Sequence, residues 1–280
     1  MSIEMPEATI LTRQLQAALA GKSVAGYALK DAAKLQQAGF FNKDSAALEW
    51  LVGRAVEAAV CRGNTMLLEF TGDERLIIFP EYGGEVLFRK PGGPLPEKYH
   101  FRLDFSDGSA LTVRINSIGG VHALDAAALA EHYIYRRDFD PQKFSPDAPE
   151  LTAERFAELL AAALRQLKTV IVGKDAFVVG LSNAAFQDII FRAGLHPKRR
   201  GADLTGAEAG ALYGALRLVV SERMRLGGKA GFRDLHGEPG RYEAAMGPGM
   251  KGRACPRCGT AVQKIAHGGG EVFVCPGCQV

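Results

Sequence analysis

The apolar residues Ile10, Leu11, Leu15 and Leu19 recur at helical spacing and Gly21 ends the run, so the pattern predicts an opening helix over 8–20. The period then shortens. Brief apolar runs bounded by turn residues follow at 65–70, at 76–79 (stopped by Pro80) and at 85–88, which runs into Pro91-Gly92-Gly93-Pro94. Residues 100–105 alternate cleanly, meet the turn Ser106-Asp107-Gly108 and pair in prospect with 110–115. Strands this short at this spacing predict a β-sandwich or barrel. Cys61 falls in the same β region, as a small buried hydrophobe.

Beyond residue 130 the period lengthens again. Thr152 is placed to cap a helix carrying Phe156, Leu159, Leu160, Leu164 and Leu167 on one face. Thr205 and Glu208 form a capping box before a long helix with Leu212, Leu216, Val219 and Val220 on its stripe. Between them the turn Gly180-Leu181-Ser182-Asn183 opens a shorter helix closed by Gly194 and followed by Pro197. Residues 227–254, rich in glycine and charge, read as a linker that lies on a partner or is mobile. The whole predicts an α+β chain in three parts: a β domain with an opening helix over 1–130, a helical domain with its linker over 131–250, and a small module over 251–280.

That module holds four cysteines in two matched pairs, Cys255-Pro256-Arg257-Cys258 and Cys275-Pro276-Gly277-Cys278, sixteen residues apart. Four thiolates at this spacing suit one tetrahedral Zn²⁺, and a full sulfur shell leaves no position open, so the predicted ion is structural. Two disulfides or four idle thiols are the competing reading, disfavoured in a chain of 280 residues that shows no secretory signal.

Composition changes this picture little. Hydrophobic residues make up 47% and charged residues 23%, ordinary for a globular chain, and the formal charge of +3 permits a nucleic-acid partner without requiring one. The chain lacks a basic region followed by an apolar run, and lacks about eighteen uninterrupted apolar residues, so a cytoplasmic monomer with no membrane partner is expected.

The turn ending at Asn183 carries chemistry of its own. Free N–H groups at a helix start bind phosphate, an Asn side chain adds a donor, and Lys198, Arg199 and Arg200 follow on a loop where they can neutralise further phosphates. The competing reading makes Asn183 a helix cap and the basic triplet a solvated turn.

The β domain with its helix, the segment around GLSNAAFQDIIFRAGLHPKRR and the Cys₄ hairpin, in that order, resemble the formamidopyrimidine-DNA glycosylase / endonuclease VIII family. The family pattern G-[IL]-G-N…R-A-G-I-H-P is met by Gly180, Asn183, Arg192, Ala193, Gly194, His196 and Pro197, with Ser182 replacing a glycine. The resemblance implies a two-domain base-excision architecture with a helix–two-turn–helix element, a zinc finger and a duplex DNA partner. It also implies a chemistry: an N-terminal proline amine attacks C1′ of the damaged nucleotide, the next glutamate moves protons, and a turn lysine and a finger arginine hold phosphates. A free α-amino group, with a pKa of about 7.7–8.0, suits such attack better than a lysine at about 10.4.

Several of those positions are altered. Matching the family's P-E-L-P-E-V to Ile3-Glu4-Met5-Pro6-Glu7-Ala8 keeps Glu4, Pro6, Glu7 and the later Arg13, but puts Ile3 at the nucleophile. Removal of Met1 would then expose the Ser2 amine one residue upstream. A second register puts Pro6-Glu7 at the catalytic pair and requires translation to start at Met5. The lysine turn reads Arg62-Gly63-Asn64-Thr65-Met66, so Asn64 offers a hydrogen bond without charge. The finger tip reads Gly268-Gly269-Gly270-Glu271, with Gly270 at the arginine. The loop expected to fill the gap of an everted base reads Ser117-Ile118-Gly119-Gly120-Val121, with Tyr82 at a common methionine wedge.

Three functions follow as expectations. The first is a zinc-containing DNA-binding protein of this family with the standard glycosylase/AP-lyase chemistry weakened or lost, Glu4 being the one catalytic position kept. The second is an active glycosylase/AP lyase on oxidised bases, working through the amine of Ser2 or Pro6. The third is an RNA-associated factor, since a phosphate-reading helix start does not itself tell DNA from RNA.

Overall fold

The computed structural model describes residues 2–173 and 175–280. Its contacts divide into two compact units, 1–140 with 226–241, and 141–225 with 242–280.

In the first unit, α1 (Met5–Leu19) starts three residues earlier than its periodicity predicts, because Pro6 fits the first turn and the Glu7 carboxylate accepts from the Glu4 N–H at 3.2 Å. Leu11, Leu15 and Leu19 are fully buried, each such burial being worth about 1.5–3 kcal/mol. Then come β1 (Val24–Leu29), α2 (Ala32–Gln37), β2 (Val56–Arg62), β3 (Thr65–Phe70), β4 (Arg75–Ile78), β5 (Glu85–Arg89), β6 (Phe101–Phe105), β7 (Ala110–Arg114), β8 (Val121–Leu124), α3 (Ala126–Glu131) and α4 (Tyr133–Asp138).

Two antiparallel four-stranded sheets, in the orders β1-β6-β7-β5 and β2-β3-β4-β8, share one core with α1, as a sandwich requires. On β6 Phe101, Leu103 and Phe105 point into that core while Arg102 and Asp104 are part-exposed, the period-two pattern of a half-buried strand. On β3 Met66, Leu68 and Phe70 join the core, whereas Leu67 packs with Ile77, Phe79, Leu129 and Ile134 beneath α3 and α4. That second cover is why its sequence reads as a continuous apolar run.

The stretch read as a linker is partly built into this unit. Phe232 and Leu235 lie in the sandwich core, and the Phe88 N–H donates to the Leu235 carbonyl at 2.8 Å. Two of its glycines answer to close packing: a Cβ on Gly228 would meet the Phe232 ring at 2.4 Å and one on Gly240 the Lys229 carbonyl at 2.5 Å.

The second unit comprises α5 (Ala153–Ala161), α6 (Leu167–Ile171), α7 (Asn183–Ala193), α8 (Gly206–Arg225) and the hairpin β9 (Gln263–His267) and β10 (Gly270–Val274). The Thr152 hydroxyl caps α5 as predicted, accepting from the Arg155 N–H at 3.2 Å. The helix nonetheless stops at Ala161, leaving Leu164 76% exposed and Leu167 as the start of α6. The chain leaves the helix to pair with 199–202: the Leu167 N–H donates to the Arg199 carbonyl and the Ala202 N–H to the Ala163 carbonyl, both at 2.9 Å. The predicted capping box opens α8, and Leu212, Leu216, Val219 and Val220 are buried along it. No helix among the described residues is long and apolar enough to cross a membrane.

Candidate functional site

Cys255, Cys258, Cys275 and Cys278 bring their sulfurs within 4.8 Å of one another. Cys255 and Cys278 Sγ are 3.8 Å apart, and Cys258 and Cys275 Sγ 3.5 Å. A disulfide needs about 2.0 Å, whereas the edge of a tetrahedron with Zn–S near 2.3 Å is roughly 3.8 Å. The donor set and its spacing therefore fit a closed four-sulfur metal site, and the disulfide alternative does not fit.

α7 is the spine on which this module rests. The Asn183 Nδ2 donates to the Glu271 carbonyl at 2.8 Å, and the Gln187 Oε1 accepts from the Phe273 N–H at 2.8 Å. Four helical residues rise roughly 6 Å and two strand residues roughly 6.8 Å, so i, i+4 on the helix matches i, i+2 on β10. At the other end Arg257, inside the first knuckle, donates to the Phe191 and Arg192 carbonyls at 2.9 and 2.8 Å, satisfying the last acceptors of α7. Gly194, at φ +73°, turns the chain there, and the Gln279 Nε2 donates to the Leu195 carbonyl at 2.9 Å. The buried Asp188 on the same helix accepts from Arg192 at 3.1 Å, from the Ala245 N–H at 3.0 Å and from the Tyr242 hydroxyl.

Helix α7 is capped by Ser182, whose hydroxyl accepts from the Ala184 N–H at 3.3 Å, so Asn183 is the first helical residue rather than the cap. One of its amide hydrogens braces the hairpin, the other is left over, and its Oδ1 has no partner. The basic triplet divides. Arg199 is committed to Glu208 through two bonds of 2.9 and 3.1 Å, which hold that carboxyl down at about 2. Arg200 pairs with Asp203 at 2.7 and 2.9 Å. Lys198 alone has no carboxylate partner among the described residues.

In the first unit Ser2 bridges to Tyr82, and the Ile3 N–H donates to the Glu81 carbonyl at 3.1 Å. Glu4 follows with 1% exposure and Glu7 with none; the Lys229 Nζ donates to Glu4 at 3.0 Å and lies 3.9 Å from Glu7, while the Lys229 N–H donates to Glu7 at 3.1 Å. Glu4 is thus a buried, ion-paired group and not an acidic residue on the surface. Pro6 is buried in the first turn of α1. Asn64 donates to the Ile3 carbonyl at 3.3 Å and accepts from Arg137 at 2.8 Å. Burial works against the Arg137 charge, but Asp138 and Glu81 outweigh it and hold the guanidinium above its usual range. A cleft of about 320 Å³ beside these groups is lined by Ser2, Ile3, Arg114, Asn116, Lys229 and Arg233 among others.

A family model described as the formamidopyrimidine-DNA glycosylase N-terminal domain matches residues 3–115. Formamidopyrimidine-DNA glycosylases of Chloroflexus aggregans and Bacillus cereus are 29% and 27% identical over 286 and 283 residues, covering 99% of this chain and 98% of theirs. The chain is similar along its whole length to formamidopyrimidine-DNA glycosylases, and over residues 3–115 to the N-terminal domain of that family. Among solved relatives, the Thermus thermophilus MutM (Fpg) protein superposes with a TM-score of 0.80 at 25% identity over 99% of this chain and 98% of that one. The Lactococcus lactis Fpg, solved with abasic-site DNA, superposes at 0.82 with 21% identity over 99% of both chains.

Within this fold, sequence reasoning brought the four thiols to one point and placed Asn183 at the start of α7, while its bond to the hairpin was not foreseen. It missed Lys229, Arg137, Arg257 and Lys168. A lysine in a glycine-rich stretch, an arginine inside a knuckle and two cations on short helices carry no spacing signal; only the fold delivers them.

Proposed function

We propose that this chain is a zinc-containing protein that binds duplex or damaged DNA through its phosphates, with the standard glycosylase/AP-lyase chemistry of the family weakened or lost. Cys255, Cys258, Cys275 and Cys278 would hold one structural Zn²⁺, which fixes the hairpin against α7 and takes no part in chemistry. Asn183 and Lys198 are the phosphate contacts of this reading, with Asn64 at the turn beside Ile3.

The observation that carries the reading is at the start of the chain. The family match begins at Ile3, a residue with no nucleophilic side chain, and its N–H is already donated to Glu81. Glu4, the one catalytic position retained, is sealed beneath Lys229. A carboxylate that shuttles protons must meet substrate, and a 1% exposed ion-paired one is held instead for structure. Glycine at 270 removes the bidentate donor expected at the finger tip. The DNA complexes of the Lactococcus lactis relative support a duplex partner.

A second reading, an active glycosylase or lyase working through an N-terminal amine, draws on the cleft that Ser2 lines. Affinity for intact duplex, abasic duplex and structured RNA at one fixed salt concentration tests the binding half of the proposal: preference for duplex supports it and preference for RNA opposes it. Borohydride trapping on abasic duplex tests the chemical half.

A further inference from the structure

The turn of the C-terminal hairpin is Gly268-Gly269, with φ of +55° and +73°, the two left-handed residues of a tight hairpin turn. It presents no side chain of its own. Lys168, from α6, is laid across it: its Nζ donates to the His267 carbonyl at 2.7 Å, its Cδ is 3.1 Å from where a Cβ on Gly268 would stand, and its Nζ 3.6 Å from one on Gly270. Among the described residues Lys168 has no carboxylate partner, and burial pushes its pKa down.

A second lysine and a second imidazole neighbour the same ring. Burial first, then Lys168, Lys198 and His196, lower the His267 pKa, against a backbone hydrogen bond to Pro197 that raises it; Lys198 directly follows Pro197, and its N–H donates to the His196 Nδ1 at 3.3 Å. Lys198 likewise lacks a carboxylate. His267 is 8% exposed, and its Nε2 has no hydrogen-bond partner. The nearest acid in sequence, Glu271, is taken by Lys264, while its carbonyl accepts from Asn183. Cations brought together without acids repel one another, and a buried donor or acceptor left unmatched costs stability. An anion at this turn would relieve the repulsion between the two ammonium groups.

We propose that Lys168 and Lys198, gathered about His267 at the hairpin turn, form a phosphodiester-binding site in which the Lys168 ammonium supplies the cation that Gly270 cannot. The site rests on the duplex-binding function proposed above and names the residues that carry it. A lysine at this place suits a phosphate as a point charge, without the two-pronged geometry of a guanidinium, so affinity is kept while orientation is looser.

The test is duplex affinity of the zinc-loaded full chain, measured over a series of potassium chloride concentrations. Each phosphate neutralised contributes about 0.9 to the slope of log affinity against log salt. Lys168→Met and Lys198→Met should each reduce that slope by about one, and Arg155→Met, on an ion-paired exposed arginine, should leave it unchanged. Adding Gly270→Arg to Lys168→Met should restore the slope, because a Cβ there meets only the lysine end at ordinary contact distance. Zinc content and melting temperature of each variant verify folding, and Lys198→Met, whose side chain makes no hydrogen bond or ion pair among the described residues, keeps the test valid if Lys168→Met is unstable. Unchanged slopes in both folded lysine variants would overturn the site while leaving duplex binding intact. Absence of duplex binding by the unaltered protein would overturn the function and the site together. Phosphorus NMR broadening of inorganic phosphate that vanishes in Lys168→Met, with duplex binding indifferent to that change, would mark a free-phosphate site and refute the DNA assignment.

Discussion

The Lys229 Nζ lies 3.0 Å from the Glu4 carboxylate, and the residues are 8% and 1% exposed. One comes from the glycine-rich stretch near residue 230 and the other from the start of α1, so the pair fastens the 226–241 segment to the first unit. Removing one partner of a buried pair leaves an uncompensated charge, at about 3–5 kcal/mol. Lys229→Met should therefore reduce the unfolding free energy by that amount, read as a lower urea midpoint at unchanged slope, and Glu4→Gln in the same chain should recover part of it. Independent, additive losses would show that the two residues do not act as a pair.

Metal removal should dissolve the finger first. The knuckles have little core of their own, Met246, Val262 and Phe273 being the main apolar cover beside Phe191. Strong chelation should release one zinc per chain and lower the melting temperature, and Cys258→Ser should lose the ion. A Cys258→Ser protein that keeps one tightly bound zinc would count against the four-sulfur site.

Asn183→Ala should weaken intact duplex, abasic duplex and structured RNA about equally, by about 1–2 kcal/mol, because a phosphate contact carries no sequence information. The same change removes the bond to the Glu271 carbonyl, so zinc content should be checked alongside affinity. An affinity equal to that of the unaltered protein at matched salt would take Asn183 out of the interface.

Acid should destabilise the first unit through a histidine pair. The His122 Nδ1 and His132 Nε2 are 2.8 Å apart, and the His122 Nε2 is 3.2 Å from the Gly39 carbonyl, an arrangement that suits two neutral rings. Burial, then His132, lowers the His122 pKa to about 4. The unfolded chain takes up this proton at about 6.5, so the stabilising contribution is complete above that pH and is lost as pH falls toward about 4. At 1.36 kcal/mol per pH unit the loss reaches at most about 3 kcal/mol. Urea unfolding at several pH values should show this slope in the unaltered protein and a smaller one in His122→Gln; identical slopes would remove the pair as its source.

What the sequence made legible was periodic or stoichiometric. The alternation at 100–105 became β6, the capping box at Thr205 opened α8, and two C-x-x-C pairs closed on one point. What it concealed was long-range. Leu164 and Leu167 continue a helical pattern, yet α5 ends at Ala161 because main-chain bonds to 199–202 compete for that segment. Residues 227–254 read as a linker because close packing and mobility both call for glycine, yet Phe232, Leu235, Tyr242 and Met246 within them are buried. Arg199 and Lys198 look alike in the chain; what separates them is Glu208, nine residues from Arg199. The cation at the finger turn could not be read from the turn at all, since Lys168 comes from about a hundred residues earlier.

On the proposed function, the protein binds duplex DNA without the standard amine chemistry. Borohydride trapping tests it most directly. The full-length protein is incubated with duplex containing an abasic site under conditions that saturate binding, borohydride is added, and covalent complexes are separated and mapped by peptide mass. The account predicts saturable binding with no adduct above the level of an unrelated duplex-binding protein. A robust adduct, at the Ser2 amine or at any lysine lining the same cleft, would contradict it.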